Sequence, residues 1–278
     1  DDSTPGQVYL YSGEKRRTGT TIERAGLDGG ALYGLKVTNG GPSYANGAVP
    51  FESNGAIVGR FALESVADVA TGTGATLQST SRLRGITEFA RPEDGAWDTK
   101  NRNVFYFVTT GASVATPPGA AQSQSARLYK LTFDNISVPT LGGRIELVVD
   151  SAALTGTDGQ TARSFDNITV DDSGRVLIQE DPGNAAYIAK TWRVTPGTAA
   201  AEQILKSDPN RFEPGVPGFL TQDEESSGIV EITDLVRHAR WFDDDRRYYL
   251  ADIQSHRALP VPLVEDGQLY LISSRKLH

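Results

Sequence analysis

The sequence predicts an all-β protein of the β-propeller class, and three observations support this prediction. Short runs of β-branched and aromatic residues recur along the chain, separated by clusters of Gly, Asp and Pro. Segments with helical periodicity are few. A polar turn followed by a β-rich run occurs three times, and its aspartates Asp98, Asp171 and Asp243 are 73 and 72 residues apart. Such a spacing is typical of a fold built from copies of one β module.

The repeat length indicates how much of a propeller the chain forms. A four-stranded blade usually takes about 40–50 residues, so the longer module seen here must contain insertions between its strands. The chain then holds roughly four blades, whereas closed propellers have about 4–8. We therefore expect one propeller-like domain over residues 1–278, incomplete because its N-terminal blades lie upstream of this sequence.

Twelve runs have the β-branched or alternating pattern of strands. They are 8–11, 32–37, 56–63, 104–108, 128–133, 145–149, 168–170, 176–178, 187–188 with 192–194, 229–232, 248–251 and 269–272. Two further segments, 65–70 and 232–236, are predicted to form short turns of helix.

Composition excludes several classes of function. The net charge is -8 and no extended Lys and Arg patch is present, which argues against nucleic-acid binding and favours divalent cations as ligands. The absence of cysteine excludes disulfides, thiolate metal sites and Cys nucleophiles. No apolar run is long enough to span a membrane. Since the sequence also contains no methionine, we expect a processed secreted form or a fragment.

The turn aspartates stand at equivalent strand ends, so they could converge on one surface and suggest a metal site. The segment Arg91-Pro92-Glu93-Asp94 adds a possible ligand. Pro92 restricts Arg91 to an extended conformation, and this strand entry could direct Glu93 into a propeller centre, where a carboxylate suits calcium. The alternative interpretation is a solvated turn with an Arg–Glu pair.

Two Asp-Asn pairs precede similar β runs, at Asp134-Asn135 and Asp166-Asn167. A carboxylate beside an amide carbonyl can bind calcium, but it also forms Asx turns. Only the second pair is followed by an acidic strand end, Glu180-Asp181, so we assign metal binding to the second pair and turn chemistry to the first.

Acidic residues also precede the last strands. Asp223, Glu224 and Glu225 are adjacent, so they repel one another unless they are solvated or bridged by a cation. Strand alternation predicts that Asp252, Gln254 and His256 share one face, where His256 could ligate a metal or donate a proton. A flexible acidic loop and a hydrogen-bonded surface histidine are the alternatives.

These motifs, in this order, resemble those of the PhoX-type alkaline phosphatases and a wider group of related bacterial propeller proteins. The resemblance rests on Arg-Pro-Glu-Asp at 91–94, the segment from Asp166 to Asp181, Asp-Glu-Glu-Ser-Ser-Gly at 223–228 and Asp-Ile-Gln-Ser-His at 252–256. It implies a secreted propeller that hydrolyses phosphate monoesters with calcium and two irons. It also implies metal ligation by Glu93, with Asp166, Asn167, Glu180 and Asp181 near the same axis, and by extension Glu225.

The departures from the family shape the functional hypotheses. The phosphatases use a cysteine as an iron ligand, and this chain has none, so calcium is the expected metal, with a second metal left open. The first hypothesis is a calcium-dependent phosphoesterase acting on phosphate esters, in which Arg91 contacts phosphate and His256 donates a proton. The second is a non-catalytic, calcium-stabilised surface or assembly module, whose missing blades come from an upstream segment or a partner chain. A lactonase-like calcium propeller is a third possibility.

Overall fold

The computed structural model describes residues 5–39, 52, 55–111, 125–198, 200–260 and 263–276. The described residues form sixteen strands. They are β1 (Gly6–Gln7), β2 (Tyr9–Ser12), β3 (Ala31–Asn39), β4 (Gly59–Ser65), β5 (Glu88–Phe89), β6 (Pro92–Trp97), β7 (Val104–Thr109), β8 (Arg127–Phe133), β9 (Gly143–Asp150), β10 (Phe165–Val170), β11 (Val176–Glu180), β12 (Lys190–Val194), β13 (Ala201–Lys206), β14 (Glu224–Glu231), β15 (Arg246–Ala258) and β16 (Glu265–Arg275).

Helices are short and few within the described part of the chain. They are α1 (Thr21–Ala25), α2 (Gly74–Leu83), α3 (Pro209–Phe212) and α4 (Thr233–Val236), with 3-10 turns at Ala67–Val69, Pro139–Leu141 and Ser151–Ala153. No helix among the described residues is both long enough and apolar enough to cross a membrane.

The strands form four sheets with the connectivity of a propeller. One sheet has the order β10-β11-β12-β13 and another has the order β14-β15-β16, both antiparallel and consecutive in the chain. A seven-stranded sheet has the order β2-β3-β4-β9-β8-β7-β6, and β1 pairs with β5. Up-and-down sheets of three or four strands are the units from which propeller blades are made. The predicted all-β propeller class is confirmed.

Contacts divide the chain into two compact units. The first comprises Asp1–Pro92, Asn103–Phe105 and Tyr129–Leu147, and the second comprises Glu93–Arg102, Tyr106–Leu128 and Val148–His278. That residues 1–278 form one domain stays a prediction.

Each unit has its own packed interior. In the first, Phe61 and Phe133 meet edge to face with their ring centroids 5.3 Å apart. In the second, Leu177 of the four-stranded sheet packs with Ile229 and Tyr249 of the three-stranded sheet. The contact between these two sheets fixes the ends of their strands, where the candidate site lies.

The structure adds elements that the sequence pattern did not predict. Residues 201–206 lack the alternating β-branched pattern by which a strand is distinguished from a helix, yet they form β13. Helix α2 is rich in Ser and Thr, which favour helices weakly, and it begins where the Thr73 side chain accepts a hydrogen bond from the Thr76 backbone. Residues 92–97, interpreted as a turn, form β6.

The extended conformation expected for Arg91 is wrong. Arg91 has a φ of 56° and Ser164 has a φ of 49°, both in the left-handed region. These two residues are 73 positions apart, and each directly precedes the first strand of a repeat, β6 or β10. The repeated entry turn therefore overrides the local preference of a residue before proline.

Candidate metal site

The first strand of the four-stranded sheet begins with a bulge that carries the predicted Asp-Asn pair. Phe165 pairs with Glu180 and Ile168 pairs with Ile178, so Asp166 and Asn167 together oppose a single residue of β11. An extra residue of this kind re-aims the side chains of the bulged strand. Both side chains are half-buried, and Asn167 Nδ2 donates to Asp166 Oδ2 at 2.6 Å.

The first strand of the three-stranded sheet has a matching bulge. Glu225 pairs with Gln254 and Gly228 pairs with Asp252, so two residues again oppose one. In this sheet, however, the bulged residues are Ser226 and Ser227, which offer no carboxylate. Asn167 Nδ2 lies 3.4 Å from the Ser226 carbonyl oxygen, so the two bulges are neighbours.

Strand β6 brings further acids to the same place. The Asp94 Oδ2 atom accepts a hydrogen bond of 3.0 Å from the backbone N–H of Ile168 in β10. The hydroxyl of Thr110 lies 3.5 Å from Glu93 Oε1 and donates to the Phe165 carbonyl at 3.1 Å. Glu93 and Asp94 therefore lie beside the bulge of β10, as the repeated spacing implies.

Glu180 does not fit the metal-ligand role predicted for it. It is fully buried, and its Oε1 atom accepts from the backbone of Arg163 and the indole of Trp192, each at 2.9 Å. The Tyr187 hydroxyl lies within 3.0 Å of both carboxylate oxygens, and the Lys190 backbone donates to Oε2. Because its lone pairs are already used, Glu180 ties β11 to β12 in the core. Burial raises its pKa to about 7, although these donors act in the opposite direction.

Asp181, the residue that follows, lies at the edge of this core. It is half-buried, its backbone N–H donates to the Ser164 carbonyl, and its Oδ1 atom accepts from Gly183 at 2.8 Å. Asp181 is therefore held at the strand end where β10 begins.

Glu224 is a candidate ligand that the sequence does not distinguish from Glu225. Its side chain is fully buried, and one oxygen accepts a hydrogen bond of 2.8 Å from the Ala189 backbone. The other oxygen, Oε2, has no hydrogen-bond partner in the described protein. Burial raises the pKa of Glu224 to about 8, and the charges of Asp181 and Asp223 act in the same direction. A run of three acids gives no signal that distinguishes the buried one.

His256 lies on the neighbouring strand β15, between two carboxylates. Its Nε2 atom is 3.2 Å from Glu225 Oε2, and its Nδ1 atom is 3.3 Å from Glu265 Oε2. Burial lowers the pKa of His256, but the hydrogen bonds to Glu225 and Glu265 outweigh it and leave the pKa raised. Gln254 Nε2 lies 3.5 Å from the ring, which places Gln254 and His256 on one face. Burial is the larger cause of the raised pKa of Asp252, and the negative charge of Glu225 acts in the same direction.

The repeated turn aspartates form turns rather than a metal site. Asp98 accepts from the Lys100 and Asn101 backbones, and Asp243 accepts from the Asp245 backbone. Asp171 accepts from the Ser173 and Arg175 backbones and pairs with the Arg175 guanidinium. These contacts are Asx turns, so the 73- and 72-residue spacing reports repeated turn geometry.

The donor set around the bulges fits a hard cation. It consists of carboxylate and amide oxygens, which suit calcium, and it offers no thiolate for iron. The buried Glu224 Oε2 atom, with no protein partner, is the kind of group that a cation would satisfy. Within the described residues, no group of three or more His, Asp or Glu side chains is already arranged around a metal position.

Comparison with known proteins identifies the family. The family model for alkaline phosphatase PhoX matches residues 1–228. The chain belongs to the PhoX alkaline phosphatase family. Its structure is similar to that of Pseudomonas fluorescens PhoX in complex with vanadate, a transition state analogue, with a TM-score of 0.54 and 16% sequence identity. The match covers 97% of this chain and 51% of that chain, so the chain spans about half the length of the solved relative.

The family assignment made from the motifs is thus confirmed. No curated protein matches the sequence. The PhoX family consists of metal-dependent phosphatases, and carboxylate and amide oxygens of the kind that bind metals lie beside the bulge of β10. The ligand roles of Glu93, Asp166, Asn167, Asp181 and Glu225 stay predictions. So do the phosphate contact of Arg91 and proton donation by His256.

Proposed function

We propose that the chain contributes the metal-binding half of a secreted, calcium-dependent phosphomonoesterase of the PhoX family. The observation that carries this proposal is the buried carboxylate of Glu224, whose Oε2 atom has no hydrogen-bond partner among the described residues and whose pKa is raised further by the charge of Asp181. A buried carboxylate without compensation is costly, and a cation would offset that cost.

Two groups of residues would hold the ion in this proposal. Glu224 and Asp181 form the first, and the second consists of the bulge residues Asp166 and Asn167 with Glu93 of the neighbouring strand. Glu225 would contribute less to metal binding, because its carboxylate already interacts with His256. Calcium, once bound, supplies positive charge that neutralises a phosphoryl group and stabilises the transition state.

His256 is proposed as the proton donor. The carboxylates of Glu225 and Glu265 stabilise its doubly protonated ring and raise its pKa, which favours the form that can donate a proton. As a water oxygen bonds to phosphorus and the P–O bond of the ester breaks, the leaving oxygen would take a proton from this ring, and the proton released by the water would restore it. Arg91 is proposed to bind the phosphate oxygens through its guanidinium fork.

The test combines metal content with turnover on one sample. Calcium is measured by plasma mass spectrometry on the native protein, and p-nitrophenyl phosphate hydrolysis is followed with and without chelator. We expect bound calcium, turnover that chelator abolishes, and loss of both in Glu224→Gln. Glu213→Gln, an exposed carboxylate outside the site, is the matched control. Turnover that survives in Glu224→Gln would contradict the proposal.

A second candidate function is a non-catalytic assembly module. Val230, Leu250 and Leu271 form one row across the three-stranded sheet and are 51%, 38% and 49% exposed. An apolar row of this kind favours an interaction surface. The occupant that we propose is a second copy of this chain, because identical apolar rows can pack against each other in a self-complementary contact.

Sedimentation velocity tests this second candidate. Self-association that Leu250→Lys abolishes, together with calcium binding but no turnover, would support it. A monomer at every concentration would contradict it.

A further inference from the structure

We infer that the second unit contains a ligand pocket, on the face of β15 opposite His256, for a small organic acid with an apolar body and a hydroxyl group. The pocket lies between β15, β16 and the connection from β13 to β14 that includes α3. Its volume is about 490 Å³, within the range of about 300–1,000 Å³ typical of small-molecule sites.

Strand alternation places this pocket on the face of β15 opposite His256. Ile253, Ser255 and Arg257 line the pocket at every second position of β15. The intervening residues Gln254 and His256 lie on the opposite face, with Glu225 and Glu265. Glu224 is paired with Ser255 in the sheet, so its buried side chain lies on the pocket side of β14 and the pocket adjoins this candidate ligand.

The hydroxyl group of Ser255 lines the pocket and has no hydrogen-bond partner among the described residues. The side chain of Ser255 is 4% exposed. Buried hydroxyl groups are nearly always hydrogen-bonded, so a buried one that lines a cavity indicates that a ligand group completes it.

The charged side chains that line the pocket differ in whether they already form hydrogen bonds or ion pairs with other residues. Arg257 donates to Asp266 through Nε at 2.8 Å and also through Nη2. Asp208 accepts from the backbone and the side chain of Asn210. Arg211 is exposed at the rim, and no carboxylate of the described residues forms an ion pair with it. Its guanidinium fork thus remains available for an oxyanion.

The remaining lining selects the body of the ligand. Phe212, Leu220 and Ile253 give the pocket an apolar wall. A ligand that satisfies every feature has a carboxylate for Arg211, an aromatic or aliphatic body for the wall, and a hydroxyl or carbonyl group for Ser255. We use 4-hydroxybenzoate as the probe of this class.

Calorimetric titration with three compounds separates the contributions. Benzoate lacks the hydroxyl group, and 4-hydroxybenzyl alcohol lacks the carboxylate. We expect Ser255→Ala to weaken 4-hydroxybenzoate about 5- to 10-fold and to leave benzoate unchanged. Arg211→Gln is expected to weaken both acids about 10-fold or more without affecting the alcohol. Arg240→Gln, an exposed arginine outside the pocket, is the charge-matched control and should bind like the wild type.

A second variant tests access to the hydroxyl directly. Because the chain contains no cysteine, Ser255→Cys introduces a single thiol. We expect N-ethylmaleimide to modify it in the folded protein and 4-hydroxybenzoate to slow that reaction. No modification of the native fold, no binding of the acid at millimolar concentration, or equal binding by all variants would overturn the inference.

Discussion

Glu180 and Glu224 are both fully buried carboxylates at strand ends of the second unit, yet their surroundings differ in kind. Four donor groups converge on Glu180, whereas Glu224 receives one backbone N–H and keeps an oxygen without a partner. The pKa of each is raised by burial, to about 7 and about 8. The comparison teaches that burial alone does not identify a functional acid. The supply of hydrogen-bond donors does, because a satisfied carboxylate holds the fold and an unsatisfied one can bind a ligand.

The largest expected effect is the loss of Glu180. Glu180→Ala leaves the Trp192 indole, the Tyr187 hydroxyl and two backbone N–H groups without an acceptor inside the core. We expect the free energy of unfolding to fall by about 3–5 kcal/mol, measured by urea denaturation. Glu202→Ala, an exposed carboxylate on β13, should change it by less than about 1 kcal/mol. A Glu180→Ala protein of wild-type stability would break the comparison.

Calcium removal comes next. With calcium at about a hundredfold excess over its Kd, binding should stabilise the wild type by about 2.7 kcal/mol. Thermal melts with calcium and with chelator measure this difference. Glu224→Gln should lose most of it, because the substitution removes the unpaired Oε2 acceptor while retaining the Ala189 contact. An equal calcium effect in wild type and variant would show that Glu224 is not a ligand.

The pH dependence of the stability of the metal-free protein should have a defined sign. Since the folded pKa of Glu224 is raised from 4.5 to about 8, the native state keeps a proton that the unfolded state has lost. This contribution is fully present below pH 4.5 and disappears as the pH rises to about 8. Urea denaturation in chelator should therefore show stability falling across this window at a rate of at most about 1.4 kcal/mol per pH unit. Glu224→Gln should flatten the profile, and an unchanged slope would contradict the assignment.

The smallest expected effect concerns the proton on His256. Its pKa is raised above 6.5 by Glu225 and Glu265 after burial has lowered it. Glu265→Gln should bring the pKa down, as measured by NMR titration of the ring. Because the raised pKa stabilises the fold below pH 6.5 and not above the folded pKa, the variant should lose a little stability only at acidic pH. A pKa that does not move would show that Glu265 does not hold the ring.

Much of the fold was predictable because strand patterns and turn aspartates are local signals. The 73-residue spacing located equivalent turns at Asp98 and Asp171, and the strands around them followed. The same spacing could not show that these aspartates bind backbone groups rather than a metal. That outcome depends on φ and ψ in each turn.

The candidate site was less predictable because it depends on which residues a bulge redirects. The pair Asp166-Asn167 was identified from its composition, and its place in a bulge became visible only through the pairing register. The sequence does not distinguish Glu224 from Glu225, which are adjacent glutamates. Alternation along β14 buries the first side chain and directs the second to His256. The hydrogen bonds that Glu180 accepts in the core could not be predicted, because their donors come from residues 7 to 17 positions away in the chain.

The measurement that tests the central claim most directly is calcium titration by calorimetry on three proteins: wild type, Glu224→Gln and Glu180→Gln. The donor count predicts that Glu224→Gln loses calcium binding and that Glu180→Gln, once shown to be folded, keeps it. Binding that survives in Glu224→Gln but disappears in a folded Glu180→Gln would contradict this account.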